Sequence, residues 1–157
     1  MNVLEGEITT IITEEDLSLV KINVGGHLFT SIVIDTPATS PYLKQGNPVR
    51  LLFKETEVII ARIAPIAISI QNKMECSIIK ITTGKILCQL DLLFRPGQTG
   101  PASRQSFDLT PTPGQPGAGW SIRSLITRNA CEQLQLQEND TILAMVKTNE
   151  VSLSAYD

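Results

Sequence analysis

Residues 17–24, Leu17-Ser18-Leu19-Val20-Lys21-Ile22-Asn23-Val24, alternate apolar and polar side chains with a period of two, which marks a strand buried on one face. Gly25-Gly26 follows. Two glycines between alternating runs predict a tight hairpin, because glycine reaches the positive φ such turns need. Residues 27–33 then return as a further strand, and the β-branched run at 7–12 predicts a strand ahead of the pair. Residues 36–43 hold two prolines and one short helical turn at most. Strands are predicted at 48–53 and 57–62. Five short strands with a helical turn between the third and fourth describe a small OB-like barrel.

The pattern then repeats. Lys54-Glu55-Thr56-Glu57-Val58 returns as Lys147-Thr148-Asn149-Glu150-Val151, an offset of 93 (147 − 54), and the match extends upstream through 43–49 and 136–142. A repeat at fixed offset sets the architecture before anything else does. The second copy predicts strands at 76–81 and 85–92, a strand at 120–126, and a helix at 127–134 that Thr127 can cap. Its hairpin is interrupted at about 95–119 by a stretch holding Pro96, Pro101, Pro111, Pro113 and Pro116, five of the chain's nine prolines, which predicts an extended or disordered insertion. The fold expected is therefore all-β: two tandem OB-like five-stranded small barrels, each with a short helix. Their boundaries are 1–62 and 74–157, joined by an apolar segment at 63–73 that is expected to lie along the barrels.

Composition narrows the function. Net charge is −3, and only 4% of residues are aromatic. Nucleic-acid binding through a basic footprint or stacked bases is disfavoured on both counts. Cys76, Cys88 and Cys131 are odd in number and lack CxxC spacing, so reduced thiols are expected. Residues 1–5 show no basic, apolar leader and no stretch reaches the length of a membrane span, so a soluble cytoplasmic protein without membrane insertion is expected. One histidine, no GxSxG and no paired Cys and His leave little for nucleophilic or acid–base chemistry, so no catalytic residue and no metal site are expected.

Ser69-Ile70-Gln71-Asn72, a strand, a helix opening Ile126-Thr127 with Ala130, Leu134 and Leu136 behind it, and then Lys147-Thr148-Asn149-Glu150-Val151 together resemble the Mop or TOBE domain. That family includes molbindins, the sensing half of the molybdate-responsive transcription factor and the C-terminal part of the molybdate importer ATPase. Its pattern is Ser-Ala-Arg-Asn early and Lys-Ala-Thr/Ser-x-Val late. The resemblance implies an oxyanion ligand, molybdate or tungstate, and no catalytic cofactor. Carried over by position, Ser69 and Thr127 supply hydroxyls, Asn72 orients the loop or donates its amide, Lys147 neutralises charge and Thr148 donates its N–H, while N–H groups around Ala130 lie at the helix start. Gln71 stands where the family commonly has Arg, and Ala130 where a hydroxyl can occur. Arg123 or Arg128 could supply the missing charge. Only the second copy shows the Ser-x-x-Asn element in sequence, which resembles the importer ATPase more than a two-site molbindin. The resemblance further implies a homo-oligomer, a dimer or trimer, in which the Ser-x-x-Asn segment and the Lys strand at one anion come from different subunits. The importer ATPase is a possible partner. Two roles follow: molybdenum homeostasis, storage or sensing, or a regulatory module of an importer or transcription factor with a weak site. Taken alone, Lys147 reads as a solvated strand end, Thr127 as an N-cap and Ser69 and Asn72 as turn residues.

Overall fold

A computed structural model describes residues 1–65, 67–96 and 119–156; most of the expected insertion lies outside them. The described chain is nearly all β. Strands β1 (Asn2–Glu14), β2 (Leu17–Val24), β3 (His27–Val33), β4 (Pro48–Phe53) and β5 (Ile59–Ala61) belong to the first repeat. The second supplies β6 (Asn72–Thr83), β7 (Leu87–Phe94), β8 (Trp120–Thr127), helix α1 (Arg128–Gln133), β9 (Thr141–Val146) and β10 (Ser152–Ala155). A 3-10 turn precedes the last strand of each, at Glu55–Glu57 and at Thr148–Glu150. Gly25 and Gly26 turn the β2–β3 hairpin at φ of 57° and 95°, as their sequence requires. In the first repeat, Ser40 N–H reaches Thr36 C=O at 2.8 Å, a single helical turn between Pro37 and Pro41. Pro41, with no N–H to give, prevents a second one.

The fifth strands are where the sequence misleads. The sheets run β10-β4-β1-β2-β3 and β5-β9-β6-β7-β8. Each repeat keeps four strands and gives its last to the other barrel: β5 pairs antiparallel with β9, and β10 with β4. The strand expected to close the first barrel therefore edges the second. Arg62, just past β5, fastens this exchange. Its guanidinium donates to the carbonyls of Leu134 (2.9 Å) and Gln135 and pairs with Asp140 at 3.0 Å. A cation at the carbonyl end of α1 satisfies groups the helix cannot pair itself.

The two copies obey two offsets. β1 and β2 match β6 and β7 at 70 (72 − 2, 87 − 17), whereas β3, β4 and the final strands match at 93 (120 − 27). The difference of 23 falls inside the hairpin between β7 and β8. Both first strands carry a bulge at the same place, between Ile8 and Thr10 and between Ile78 and Lys80. Such bulges coil a strand and let one sheet curl into a barrel.

Apolar side chains of both barrels form one continuous core, with Leu4, Ile22, Leu51, Met74, Ile78 and Leu90 fully buried. At the junction, Phe29 of β3 and Phe94 of β7 meet edge to face with centroids 6.0 Å apart, and the His27 ring lies 5.0 and 5.2 Å from them. Residues 63–65 and 67–69 of the connecting segment are exposed in the chain, Ile63 and Ile68 by 46% and 42%, so it is strand exchange and shared core that fix the barrels' relation. All three cysteines are free and buried. Burial pushes the Cys131 thiol up to about 11 and raises that of Cys76 further.

His27 gives the fold a pH dependence. Burial between the two phenylalanines lowers its pKa, only partly offset by a hydrogen bond to the Lys73 backbone. The unfolded imidazole gains its proton near pH 6.5 while the folded one stays neutral to lower pH. Stability is therefore whole above the unfolded value and declines as pH falls through it. Urea unfolding at about pH 7.5 and about pH 5.5 is expected to show a smaller loss for His27→Phe than for wild type. Equal losses would assign the acid sensitivity to carboxylates instead.

Candidate functional site

The ladder between β6 and β9 ends at the pair Asn72–Val146. Gln71 and Lys147 thus leave the sheet side by side, with Ser69 two residues before Gln71. Ser69, Gln71 and Lys147 are exposed and Thr148 is half-buried. The backbone of Lys147 is extended (φ −68°, ψ 149°), and its carbonyl accepts from Glu150 N–H at 3.0 Å to close the 3-10 turn. This end of the barrel carries Lys147, Gln71 and the Thr148 hydroxyl, with Glu150 closing the turn and Ser69 two residues ahead of Gln71 in the chain.

Asn72 is not free to join them as a donor. It is 1% exposed, its Oδ1 accepts from Thr30 N–H and its Nδ2 donates to Thr30 C=O, both at 2.8 Å. β3 is the edge strand of its sheet, and Thr30 turns an unpaired backbone pair outward. A buried edge must be satisfied, and the carboxamide does so as a second strand would. The Asn72 amide is thus committed to Thr30.

The same device stands in the first repeat. Asn2, the counterpart of Asn72 at offset 70, accepts from Arg123 N–H and donates to Arg123 C=O, again at 2.8 Å. The first copy lacks the Ser-x-x-Asn element but keeps its last residue, as Asn2. Sequence comparison misses it because a single offset of 93 aligns only the later strands.

The two ends differ in charge where they agree in shape. At the first, Glu57 accepts from Lys54 N–H at 2.8 Å, and Glu55 occupies the position of Thr148. The amino-terminal ammonium pairs with Glu55 and holds its carboxyl below the usual carboxylate range. At the second end no side chain caps Lys147, and Thr148 brings a hydroxyl instead of a carboxylate. The first end carries two carboxylates, one of them paired with the amino-terminal ammonium; the second has a single one, Glu150, at the position of Glu57.

Thr127 and Ala130 lie elsewhere. Thr127 pairs with Leu87, and the neighbouring Cys88 pairs with Thr83 at the far end of β6 from Asn72. A strand rises roughly 3.3 Å per residue, so the two groups of candidates are separated by on the order of 30 Å along the sheet. Thr127 Oγ1 accepts from Ala130 N–H at 3.0 Å, the N-cap bond expected, which commits that N–H but leaves the hydroxyl proton to give. The cap borders an open cavity of about 460 Å³ lined by Lys85, Ile86, Thr127, Arg128, Asn129 and Glu132. Arg128 is paired with Glu132 at 2.9 Å, and Arg123 with Asp91 at 3.0 Å. Within one chain Arg128 stands at the helix and Arg123 against Asn2, both away from Gln71. Among the described residues no group of three or more acidic, His or Cys side chains could hold a metal ion.

The chain has the fold of ModG. A crystal structure of that cytoplasmic molybdate-binding protein, in a form with molybdate bound, matches 99% of this chain and 96% of its own with a TM-score of 0.78 at 20% sequence identity. Likeness at this identity speaks for the fold, two barrels included. No family model matches the sequence, and no curated protein does. No helix among the described residues is long and apolar enough to cross a membrane.

Proposed function

We propose that this is an oxyanion-binding protein of the cytoplasm that takes molybdate or tungstate and serves molybdenum homeostasis, storage or sensing. The observation that carries the reading is the asymmetry between the two equivalent barrel ends. Where the first carries Glu55, the second has Thr148; its hydroxyl and N–H, with Lys147, Gln71 and Ser69, are groups that can donate to a tetrahedral dianion, while Glu150 stands at the second end as Glu57 does at the first. ModG, which binds molybdate, shares the whole fold.

The Thr127 hydroxyl belongs to the same site only if a second copy brings it. Within one chain it lies a strand length from Lys147, whereas Ser69, Gln71 and Lys147 lie together. The division between subunits therefore falls between the helix cap and the Lys147 end, not between the Ser-x-x-Asn segment and the Lys strand as the family resemblance implied. Ile86 (76% exposed) and Leu87 (44%) beside the cap give a second copy apolar surface to cover. The assembly is a homo-oligomer, a dimer or trimer. Gln71 favours a second reading: without the family's arginine, a weak site suits a regulatory module that docks on a molybdate importer ATPase.

Calorimetry of the metal-free protein with molybdate, tungstate, sulfate and phosphate tests the proposal. Heat with the two oxometalates and little with phosphate is expected, since phosphate near neutral pH carries a proton that a site built of donors leaves unpaired. Equal affinity for phosphate, or no heat with either oxometalate, overturns it.

A further inference from the structure

Thr30 and Ser31, two consecutive residues of the first barrel, hold both walls of the candidate site in the second. Thr30 takes Asn72 through its backbone. Ser31 Oγ donates to Val151 C=O at 2.6 Å. Asn72 follows Gln71 directly, and Val151 ends the 3-10 turn that Lys147 opens. Ser31, Asn72 and Val151 are at most 2% exposed, so water does not compete for these bonds. The spacing of Gln71 from Lys147 and Thr148, begun by the Asn72–Val146 pair, is thereby also held from behind by a strand of the neighbouring barrel.

We infer that Thr30-Ser31 is the positioning element of the anion site, coupling occupancy of the second barrel to the β3 edge of the first. The inference rests on the oxyanion reading above. A site of a few donors needs them held to a fraction of an ångström, and such precision comes from supporting bonds behind them. An anion that draws Lys147 and Gln71 together tightens the Asn72–Thr30 and Ser31–Val151 bonds; bonds that hold the walls in place strengthen the anion in return, since coupling between sites is reciprocal.

The pseudo-symmetry supplies its own control. Ser124 Oγ donates to Val58 C=O at 3.0 Å in the mirror position and is equally buried, but the end it braces carries Glu55 and Glu57. Ser31→Ala and Ser124→Ala each delete one buried hydroxyl-to-carbonyl bond. Similar losses of thermal stability are expected from both. Only Ser31→Ala is expected to weaken molybdate binding, by about five- to tenfold, because it alone loosens a wall of the site. Ser124→Ala is expected to bind within about twofold of wild type. A second measurement needs no variant: molybdate is expected to slow hydrogen exchange at Thr30 N–H and leave Arg123 N–H, its mirror, unchanged. If wild type binds neither molybdate nor tungstate, the oxyanion reading falls and this inference with it. If wild type binds but the two serine variants match in affinity, or Thr30 and Arg123 respond alike, the oxyanion reading stands and the positioning role is overturned.

Discussion

Lys147→Ala is expected to weaken molybdate or tungstate binding about tenfold or more, on the scale of a charged hydrogen bond worth about 1.5–3 kcal/mol. Lys54→Ala is expected to change it little. The two lysines hold the same place in their repeats, both leading into a 3-10 turn. They part in what surrounds them. Lys54 has a carboxylate on its own N–H and Glu55 beside it in the chain, whereas Lys147 is followed by Thr148 and leaves the sheet beside Gln71. A dianion approaching the first end meets two carboxylates, against Glu150 alone at the second. Calorimetry on both variants decides the matter, and greater damage from Lys54→Ala would move the site to the first barrel.

Asn72→Ala carries the largest expected cost in stability. It orphans Thr30 N–H and C=O at a buried edge, at about 1–3 kcal/mol for each unsatisfied group, with some relief where water can enter. A total of about 2–4 kcal/mol lowers the melting temperature by roughly 5–15 °C in a chain of this size. Asn2→Ala is expected to follow, since Asn2 makes the same pair of bonds. Thermal melts without anion provide the check. An Asn72→Ala protein that melts with wild type but no longer binds molybdate would return the amide to the role of ligand.

Much of this architecture is legible along the chain. The alternation in β2, the glycine pair and the run at β4 place their strands correctly, because a half-buried strand writes its period into the sequence. Strands β1 and β6 extend well beyond their expected starts, to Asn2 and Asn72, since their leading residues mix polar and apolar side chains and pair only by meeting β4 and β9. Strand exchange is not legible. Ile59–Ala61 and Ser152–Ala155 are equivalent by repeat, so either can edge either barrel without changing a single period. The site is legible in part. Gln71, Lys147 and Thr148 leave the sheet at one barrel end, with Ser69 two residues ahead of Gln71, but nothing local assigns Thr127 to the opposite one. The brace through Thr30 and Ser31 is invisible to motif reading, because one member contributes only backbone and the other is an ordinary strand serine. Its one signal is the recurrence of Ser31 as Ser124, with Val58 as Val151, at offset 93.

The crossed fifth strands also govern how the molecule is made. On the ribosome the first four strands emerge early, yet β4 lacks its outer neighbour until Ser152–Ala155 has been translated, about 100 residues after Phe53. At roughly 5–20 residues per second that interval lasts on the order of 5–20 s. Throughout it the nascent chain presents an open β edge with unmet hydrogen bonds, the kind of template on which neighbouring chains pair wrongly. Closure of the first barrel therefore waits on the strand most distant from it in sequence. A stalled or truncated product of this gene is expected to be the form that chaperones hold and proteases clear.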